Sequence, residues 1–447
     1  MNKLDINGFY LVTSFLEPSE IKQLGTSSKY VYNNCRNFMT YLYSEYGCNE
    51  SYYKMNTAKW IVEDCNQSIL VDCMSKNLAI ESIVFSGSFN QPIEALANCT
   101  NLRRITFDVY TRFNQPIKAL AYCTDLRQIT FGAYSCFDQP IEALANCANL
   151  QQVTFDLAFN QSIEALANCA NLQQITFGND FTEPIEAIAN CADLRQITFG
   201  IGFNQPIEAL VQCINLQQIT FHWRSEFNQP LEALAKCTNL QQITFGTLFN
   251  QPIESLANCT NLQRITFGRM FNQRIEALAN CTSLQQITFD YYYNQPIEAL
   301  TNCTNLQQIT FGYYYNQPIE ALASCTNLQQ LTFGYYYNQP IEALTNCTNL
   351  QQITFGYYYN QPIEALANCT NLQQITFGFW FNQSIESLAN CTNLQQITFV
   401  WFSHFNQSVE SLAKCTALQQ ITFGALFNQS VEALQTNLPN LEIIYNR

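Results

Sequence analysis

A 22-residue unit repeats through most of the chain and constrains its fold more than any other feature of the sequence. One copy begins at Tyr359 and reads Y-N-Q-P-I-E-A-L-A-N-C-T-N-L-Q-Q-I-T-F-G, followed by two variable residues. Its opening F-N-Q, or a close variant, occurs sixteen times between Phe89 and Phe427. A repeat with a fixed period of about 20–50 residues predicts a solenoid, in which each unit buries its apolar side chains against its neighbours.

Each unit contains one pattern typical of a strand and one typical of a helix. The segment L-Q-Q-I-T-F alternates apolar and polar residues, which predicts a strand with one buried face, and we expect the first strand at Ile80–Phe85. Eleven units have Pro after F-N-Q, a residue favoured at the first helical position, so P-I-E-A-L-A-N predicts a helix of roughly two turns. The expected fold is an α/β solenoid of leucine-rich-repeat type, a right-handed horseshoe of short parallel strands and short helices.

The charge and the cysteines are both organised by the repeat. The net charge is −14, which argues against nucleic acid and anionic membranes as partners. One repeat position supplies fifteen glutamates, from Glu94 to Glu432. Another holds fifteen of the 20 cysteines, from Cys99 to Cys415, which we predict to be buried thiols rather than disulfides or metal ligands.

Several functional classes are not expected. The N-terminus lacks a signal-peptide pattern and no apolar stretch is long enough to span a bilayer, so we predict an intracellular, cytoplasmic location, in the host cytoplasm if the chain is viral. His222 and His404 lie in different loops, and no nucleophile elbow, phosphate loop or metal-ligand spacing is present. We therefore expect a protein that is not an enzyme, with no cofactor, no metal and no small-molecule substrate.

Four segments are predicted along the chain. Residues 1–44 have helical apolar spacing over three short helices, so the N-terminal segment is expected to be all-α. Residues 45–77 are assigned as a connector and N-terminal solenoid cap, because a solenoid needs its first exposed apolar face covered. Residues 78–435 hold about 16 repeats of 22–24 residues, and residues 436–447 are assigned as the C-terminal cap.

Residues 1–44 resemble an F-box, and the repeats resemble FNIP repeats. The first resemblance lies in Phe15-Leu16-Glu17-Pro18 and in Ser27-Ser28-Lys29, although the Leu-Pro that usually opens the motif is missing. It implies docking on a Skp1-like adaptor through the following residues: Leu11, Phe15, Leu16, Pro18, Ile21 and Leu24. The second lies in Phe89-Asn90-Gln91-Pro92-Ile93, a signature found in proteins of amoebae and giant viruses, and A-L-A-N-C-T-N-L is also similar to BspA-type repeats.

These resemblances imply the substrate-recognition subunit of a Skp1–cullin–F-box ubiquitin ligase, whose target protein the sequence does not name. The alternative is a stand-alone repeat scaffold that binds a host or cellular protein, in which residues 1–44 serve only as a cap. Both alternatives require a surface that recognises another protein.

The most variable residues of the repeat are the best candidates for that surface. Gln and Thr occupy the outward strand positions so regularly that they predict ladders along a concave face with little capacity to select a partner. The loop after each strand differs from unit to unit, with three residues in twelve units and five in the other four. Because Trp, Tyr and Arg dominate binding hot spots, we predict that these loops contact the partner. The candidate residues are Tyr110, Arg112, Tyr134, His222, Trp223, Arg224, Tyr313, Tyr314, Tyr335, Tyr336, Trp380, Trp401, Phe402 and His404.

Four successive units carry a Tyr-Tyr-Tyr loop, beginning at Tyr291, Tyr313, Tyr335 and Tyr357. The third Tyr replaces the Phe of F-N-Q and is expected to be buried, and the first two are expected to form a stacked strip. Two interpretations remain open: a partner-binding strip, or the product of recent duplication of units whose tyrosines pack well in columns.

Overall fold

The computed structural model describes residues 60–66, 70–71 and 80–446, which belong to two compact units, one up to Gly178 and the other from Asn179. In both units the chain alternates a short strand with a short 3-10 helix. Neighbouring strands of the repeats are parallel and lie in register. The predicted solenoid of parallel strands and short helices is confirmed.

In the first unit the strands pair in chain order from β1 to β6. The first repeat strand, β2, has the bounds that the sequence predicts, and it pairs with a preceding strand, β1, within the segment assigned as connector and cap. The strands are β1 (Trp60–Cys65), β2 (Ile80–Phe85), β3 (Arg104–Phe107), β4 (Gln128–Phe131), β5 (Gln152–Thr154) and β6 (Gln174–Thr176). The 3-10 helices are Glu94–Asn98, Lys118–Tyr122, Glu142–Asn146 and Glu164–Asn168.

The second unit repeats this arrangement over β7 to β18, with an α-helix, α1 (Glu432–Asn437), between β17 and β18. The strands are β7 (Gln196–Phe199), β8 (Gln218–Phe221), β9 (Gln242–Thr244), β10 (Arg264–Thr266), β11 (Gln286–Thr288), β12 (Gln308–Thr310), β13 (Gln330–Thr332), β14 (Gln352–Thr354), β15 (Gln374–Phe377), β16 (Gln396–Phe399), β17 (Gln420–Phe423) and β18 (Glu442–Tyr445). The 3-10 helices are Glu186–Asn190, Glu208–Gln212, Glu232–Lys236, Glu254–Asn258, Glu276–Asn280, Glu298–Asn302, Glu320–Ser324, Glu342–Asn346, Glu364–Asn368, Glu386–Asn390 and Glu410–Lys414.

The helical segment is shorter and tighter than the predicted two-turn helix that starts at Pro. It begins at the Glu, two residues after the Pro, and spans five residues. The N–H of Leu322 donates to the carbonyl of Ile319, and the N–H of Cys325 donates to that of Leu322, both at 2.9 Å. These bonds span three residues, and a 3-10 helix rises about 2.0 Å per residue against about 1.5 Å for an α-helix. A short segment thus covers the back of the unit and returns the chain to the next strand in register.

Seven apolar positions per unit form the core. In one unit they are all at most 3% exposed: Tyr315, Ile319, Leu322, Cys325, Leu328, Leu331 and Phe333. The aromatic rings of the strand and of F-N-Q interleave, as where Phe333 stacks on Tyr337 with centroids 3.9 Å apart. The third Tyr of each Tyr-Tyr-Tyr loop is fully buried, as predicted.

Polar side chains tie successive units together along two lines. Gln and Thr of adjacent strands face each other in register, which confirms the predicted ladders, and Gln308 donates to the Oε1 of Gln330 at 2.8 Å. The Asn of F-N-Q forms a second ladder that the sequence did not predict. The Oδ1 of Asn294 accepts the backbone N–H of Asn316 at 2.9 Å and the side-chain amide of Gln317 at 3.3 Å.

The cysteine column lies inside the structure, as predicted. All fifteen of its residues are buried. The Cys347 thiol donates to the carbonyl of Leu322 in the preceding unit at 3.6 Å, so the thiol serves as a weak donor to a backbone acceptor. Within the described residues, no cluster of His, Cys, Asp or Glu has the arrangement of a metal site, and no helix is long and apolar enough to cross a membrane.

Candidate protein-binding surface

The variable loops follow each strand and are held to one another by backbone hydrogen bonds. In the tyrosine-bearing units, the N–H of Tyr336 donates to the carbonyl of Tyr313, and the N–H of Tyr358 donates to that of Tyr335, both at 3.0 Å. Gly begins several of these loops because a methyl group on Gly334 would lie 1.7 Å from the carbonyl oxygen of Gly312. Close stacking of the loops places side chains of successive units in continuous columns.

The four five-residue loops share a buried hydroxyl that the sequence analysis missed. In the loop Val400–His404, the Ser403 Oγ accepts the N–H of Phe405 at 3.2 Å and is fully buried. Thr111, Ser135 and Ser225 make the corresponding bond in the other three loops. The signal was present, because all four insertions have Ser or Thr as their fourth residue. This hydroxyl satisfies a buried backbone donor and fixes the longer loop.

In the first compact unit, the longer loops present two tyrosines in a strained conformation. Tyr110 and Tyr134 have φ values of 57° and 61°, and their exposed rings stack at 4.9 Å. A left-handed backbone at a residue with a bulky side chain costs about 1–3 kcal/mol and persists only where the surroundings impose it. The predicted residue Arg112 is exposed in the first of these loops.

In the second compact unit, aromatic side chains of six successive loops form two parallel columns, which we name the aromatic strip. The half-buried column has ring centroids 4.5–4.6 Å apart. In the exposed column, the four tyrosines have centroids 5.2–5.5 Å apart. The half-buried column comprises Tyr291, Tyr313, Tyr335, Tyr357 and Phe379. The exposed column comprises Tyr292, Tyr314, Tyr336, Tyr358 and Trp380, and it ends on His404, whose side chain is half-buried.

The two columns lock together through edge-to-face contacts. Tyr313 contacts Tyr314 of its own loop and Tyr336 of the next, with centroids 5.2 and 5.3 Å apart and planes close to perpendicular. The guanidinium of Arg269 lies 4.5 Å above the ring of Tyr291 at one end. His404 stacks on Trp380 at 4.5 Å at the other. Aromatic pairs in these geometries stabilise each other beyond their buried area, so the strip is a rigid surface.

Sequence reasoning missed how far the exposed column extends. Leu248 and Met270 precede the buried Phe of their units, as Tyr292 does, and Leu426 holds the same position after His404. All three are exposed apolar side chains. Aligning the loops on the buried aromatic residue that follows them would have identified these residues, because the residue just before it is equivalent in three- and five-residue loops. The exposed column therefore runs through nine successive units, with a half-buried side chain at His404 and an exposed one in the other eight.

Two five-residue loops that carry tryptophan lie near the ends of the exposed column: His222–Glu226 precedes the loop of Leu248, and Val400–His404 contains His404 itself. In the loop His222–Glu226, the guanidinium of Arg224 lies 4.3 Å from the ring centroid of Trp223. Burial and the nearby Arg224 lower the pKa of His222, whose Nδ1 accepts the N–H of Arg224 at 3.2 Å. In the loop Val400–His404, Trp401 and Phe402 are both exposed and stack at 5.7 Å. The two tryptophan loops lie eight units apart, so one small epitope cannot include both.

The phenol groups that make up most of the strip are uncharged at neutral pH. Desolvation by the neighbouring rings, followed by repulsion from neighbouring phenolates, raises the pKa of Tyr313, Tyr314 and Tyr335. Their hydroxyls remain protonated at neutral pH and can both donate and accept hydrogen bonds. The surface thus combines apolar ring edges with polar hydroxyls. The predicted adaptor-binding residues Leu11, Phe15, Leu16, Pro18, Ile21 and Leu24 lie outside the described residues.

Comparisons with solved structures place this architecture among leucine-rich-repeat proteins. A leucine-rich-repeat protein of Leptospira interrogans is similar with a TM-score of 0.69 at 12% identity, covering 85% of this chain and 99% of that one. A circular leucine-rich-repeat protein of a giant virus has a TM-score of 0.53 at 24% identity, covering 85% and 68%. A plant peptide hormone receptor in complex with RGF2 has a TM-score of 0.55 at 14% identity, covering 88% and 74%.

Comparison with curated protein sequences gives no match. The sequence profile of the BspA type leucine-rich repeat region matches residues 67–194, 162–273, 232–342 and 320–441. These matches overlap and cover the repeats without a break from residue 67 to residue 441. The chain therefore belongs to the BspA-type leucine-rich repeat family.

Proposed function

We propose that this repeat scaffold, which is suited to protein–protein interaction, binds its partner on the aromatic strip and the two tryptophan loops that flank it. The observation that carries the proposal is a column of exposed apolar and aromatic side chains that runs from Leu248 to Trp380 and continues past the half-buried His404 to the exposed Leu426. Contiguous exposed apolar surface on a soluble domain is typical of an interaction site.

The strip favours a protein partner for two physical reasons. Its rings are fixed by stacking before binding, so little side-chain entropy is lost when a partner docks. Its exposed atoms are ring edges and phenol hydroxyls, which suit a partner that offers apolar side chains together with backbone hydrogen-bonding groups. From Tyr291 to His404 the strip spans five steps of about 4.8 Å, or roughly 24 Å, the length of an extended segment of about seven residues.

Substitution of three exposed rings tests the proposal. Peptides are first selected from a displayed random library on the immobilised wild-type protein. The variant with Tyr314→Ala, Tyr336→Ala and Trp380→Ala is expected to lose at least about tenfold in affinity for them, because each ring is a hot-spot type of contact. The fold should tolerate the change, since Ala158 occupies this position in another unit. Fluorescence anisotropy measures the affinities.

The matched control is Tyr122→Ala, which removes an exposed ring from a 3-10 helix. It is expected to change the affinities by less than about twofold. A second variant, with Trp223→Ala, Arg224→Ala, Trp401→Ala and Phe402→Ala, measures how much the two tryptophan loops contribute to the affinity. The proposal fails if the selected peptides bind the three-ring variant as well as the wild type, or if replacing outward strand Gln residues by Glu abolishes binding instead.

A more specific role is that of the substrate-recognition subunit of a Skp1–cullin–F-box ubiquitin ligase, in which the strip captures the target. The resemblance of residues 1–44 to an F-box and of the repeats to FNIP repeats supports it. This role requires a cytoplasmic location. The missing Leu-Pro at the front of the F-box pattern favours instead a stand-alone scaffold that acts without a ligase.

Pull-down with purified Skp1 separates the two roles. The full-length protein is expected to retain Skp1, and the Phe15→Ala and Leu16→Ala double variant is expected to lose it, because the buried core of a protein–protein interface is mainly apolar. A chain without residues 1–44 provides the negative control. Absence of Skp1 from the full-length sample would leave the scaffold role alone, without affecting the peptide-binding test of the strip.

A further inference from the structure

A groove in the first compact unit concentrates positive charge in a protein whose net charge is −14. It has a volume of about 360 Å³ and lies over the first residues of β3 to β6 and the residues just before them. Its polar lining includes Arg103, Arg104 and Arg127 at one end and Gln side chains along the rest. We name this feature the arginine groove.

The arginines lie close together because of the strand register. Arg104 of β3 pairs with Gln128 of β4, and Arg127 immediately precedes Gln128. The N–H of Arg127 donates to the carbonyl of Arg103 at 2.8 Å, so the two residues occupy adjacent rungs of one column. In most other units Gln occupies both of these positions. The arginines therefore occupy positions where the scaffold itself requires no charge.

Among the residues that the structure describes, only Arg103 of these three arginines has an acidic partner. Arg103 forms an ion pair with the largely buried Glu81 at 2.8 Å, which fixes its orientation. Arg104 and Arg127 are exposed and form no ion pair with any residue that the structure describes. With three arginines and one glutamate, the groove carries a local charge of +2, and two guanidinium groups remain available for a ligand.

We propose that the arginine groove binds a carboxylate-rich peptide segment of a partner protein. A guanidinium group binds a carboxylate through two parallel N–H···O bonds, and the adjacent Gln amides can bond to peptide backbone groups. Arg104 and Arg127 belong to adjacent strands, about 4.8 Å apart, which suits two carboxylates of one peptide, each paired with its own guanidinium group, better than a single phosphate group. The site is separate from the aromatic strip and does not depend on the role proposed for that surface.

The test measures binding of a fluorescein-labelled ten-residue peptide of alternating Glu and Ser to the full-length protein at low and moderate salt. The wild type is expected to bind it, more weakly as salt rises. Arg104→Gln with Arg127→Gln should weaken binding about tenfold or more, because two charge-assisted contacts are lost. Both changes install the residue found in most other units, so the fold is retained.

The matched control is Arg195→Gln with Arg264→Gln. These residues hold the same two strand positions in the second compact unit and change the net charge equally. The control is expected to shift the dissociation constant by less than about twofold. Equal weakening by both double variants would show that only net charge matters and would overturn the proposal. So would absence of binding by the wild type, or preference for a phosphoserine peptide over the glutamate peptide.

Discussion

Raising the pH from 9 to 11 is expected to unfold the protein, because of the cysteine column. Fourteen of its buried thiols have a pKa raised from 9.0 to about 11 or about 12. Desolvation by burial is the main cause, and for most of them repulsion from the neighbouring thiolate adds to it. The folded protein holds these protons over a pH range in which the unfolded chain releases them.

The sign of the effect follows from proton linkage. Between pH 9 and about 11 to 12 the unfolded state binds fewer protons than the folded state, so the free energy of unfolding falls as the pH rises. Each thiol contributes about 1.4 kcal/mol per pH unit in that window. The free-energy changes of fourteen thiols, added together, exceed the total stability of about 5–15 kcal/mol that is typical of a domain. Below pH 9 the thiols are protonated in both states, and their contribution to the free energy of unfolding is fully present.

Circular dichroism during an alkaline titration in reducing buffer measures the transition. The triple variant with Cys303→Ala, Cys325→Ala and Cys347→Ala should show a shallower dependence of stability on pH, although each cavity lowers its stability at neutral pH. The buried Tyr337, whose pKa burial also raises, adds to the loss above pH 10. Equal stability at pH 8 and pH 11 would contradict the burial of the thiol column.

Phe333→Ala is expected to destabilise the second compact unit by about 3–5 kcal/mol. The ring is 3% exposed and stacks on Tyr337 at 3.9 Å, and it lies 5.8 and 5.7 Å from Phe311 and Phe355 in the neighbouring units. Because solenoid stability depends on contacts between nearest neighbours, the cavity should weaken two interfaces at once. Urea denaturation should show a lower midpoint and a broader transition.

Tyr337→Phe is the matched control, since Phe occupies the same position in twelve of the sixteen units. It removes only the hydroxyl, which donates to the carbonyl of Pro340 at 3.3 Å, and should cost about 1 kcal/mol or less. Hydrogen exchange should accelerate in Phe333→Ala mainly in the units next to residue 333. Uniform acceleration throughout the second compact unit would indicate that its units unfold together.

The sequence predicted the strands better than the helices because the two patterns differ in what they constrain. Alternation in L-Q-Q-I-T-F specifies which side chains are buried, and the first repeat strand, Ile80–Phe85, has its predicted bounds. The preference of Pro for a first helical position is local, whereas the length of the helix depends on the distance the chain must cover before the next strand. That distance arises only when the units stack, so the sequence predicted a short helix in each unit but not its 3-10 geometry or its start at the Glu.

The candidate surface was predicted in part for a similar reason. The Tyr-Tyr-Tyr loops were visible as a run, and the stacked strip they form is confirmed. The sequence did not predict that Trp380 and His404 align with Tyr358. The five-residue loop shifts His404 along the sequence, but in the structure it lies next to Trp380. Arg104 stood out as an exception to the Gln ladder. Its proximity to Arg127 depends on the register between neighbouring strands, which the sequence of one unit does not show.

The hydrogen bonds between successive loops and along the Asn ladder join equivalent atoms of neighbouring units. A deletion or duplication of one whole unit therefore leaves every remaining bond with a partner of the same kind. In the four tyrosine units, such a change would lengthen or shorten the strip by about 4.8 Å without altering its chemistry. Recombination between these near-identical units can therefore change the length of the recognised segment in fixed steps while the fold stays constant.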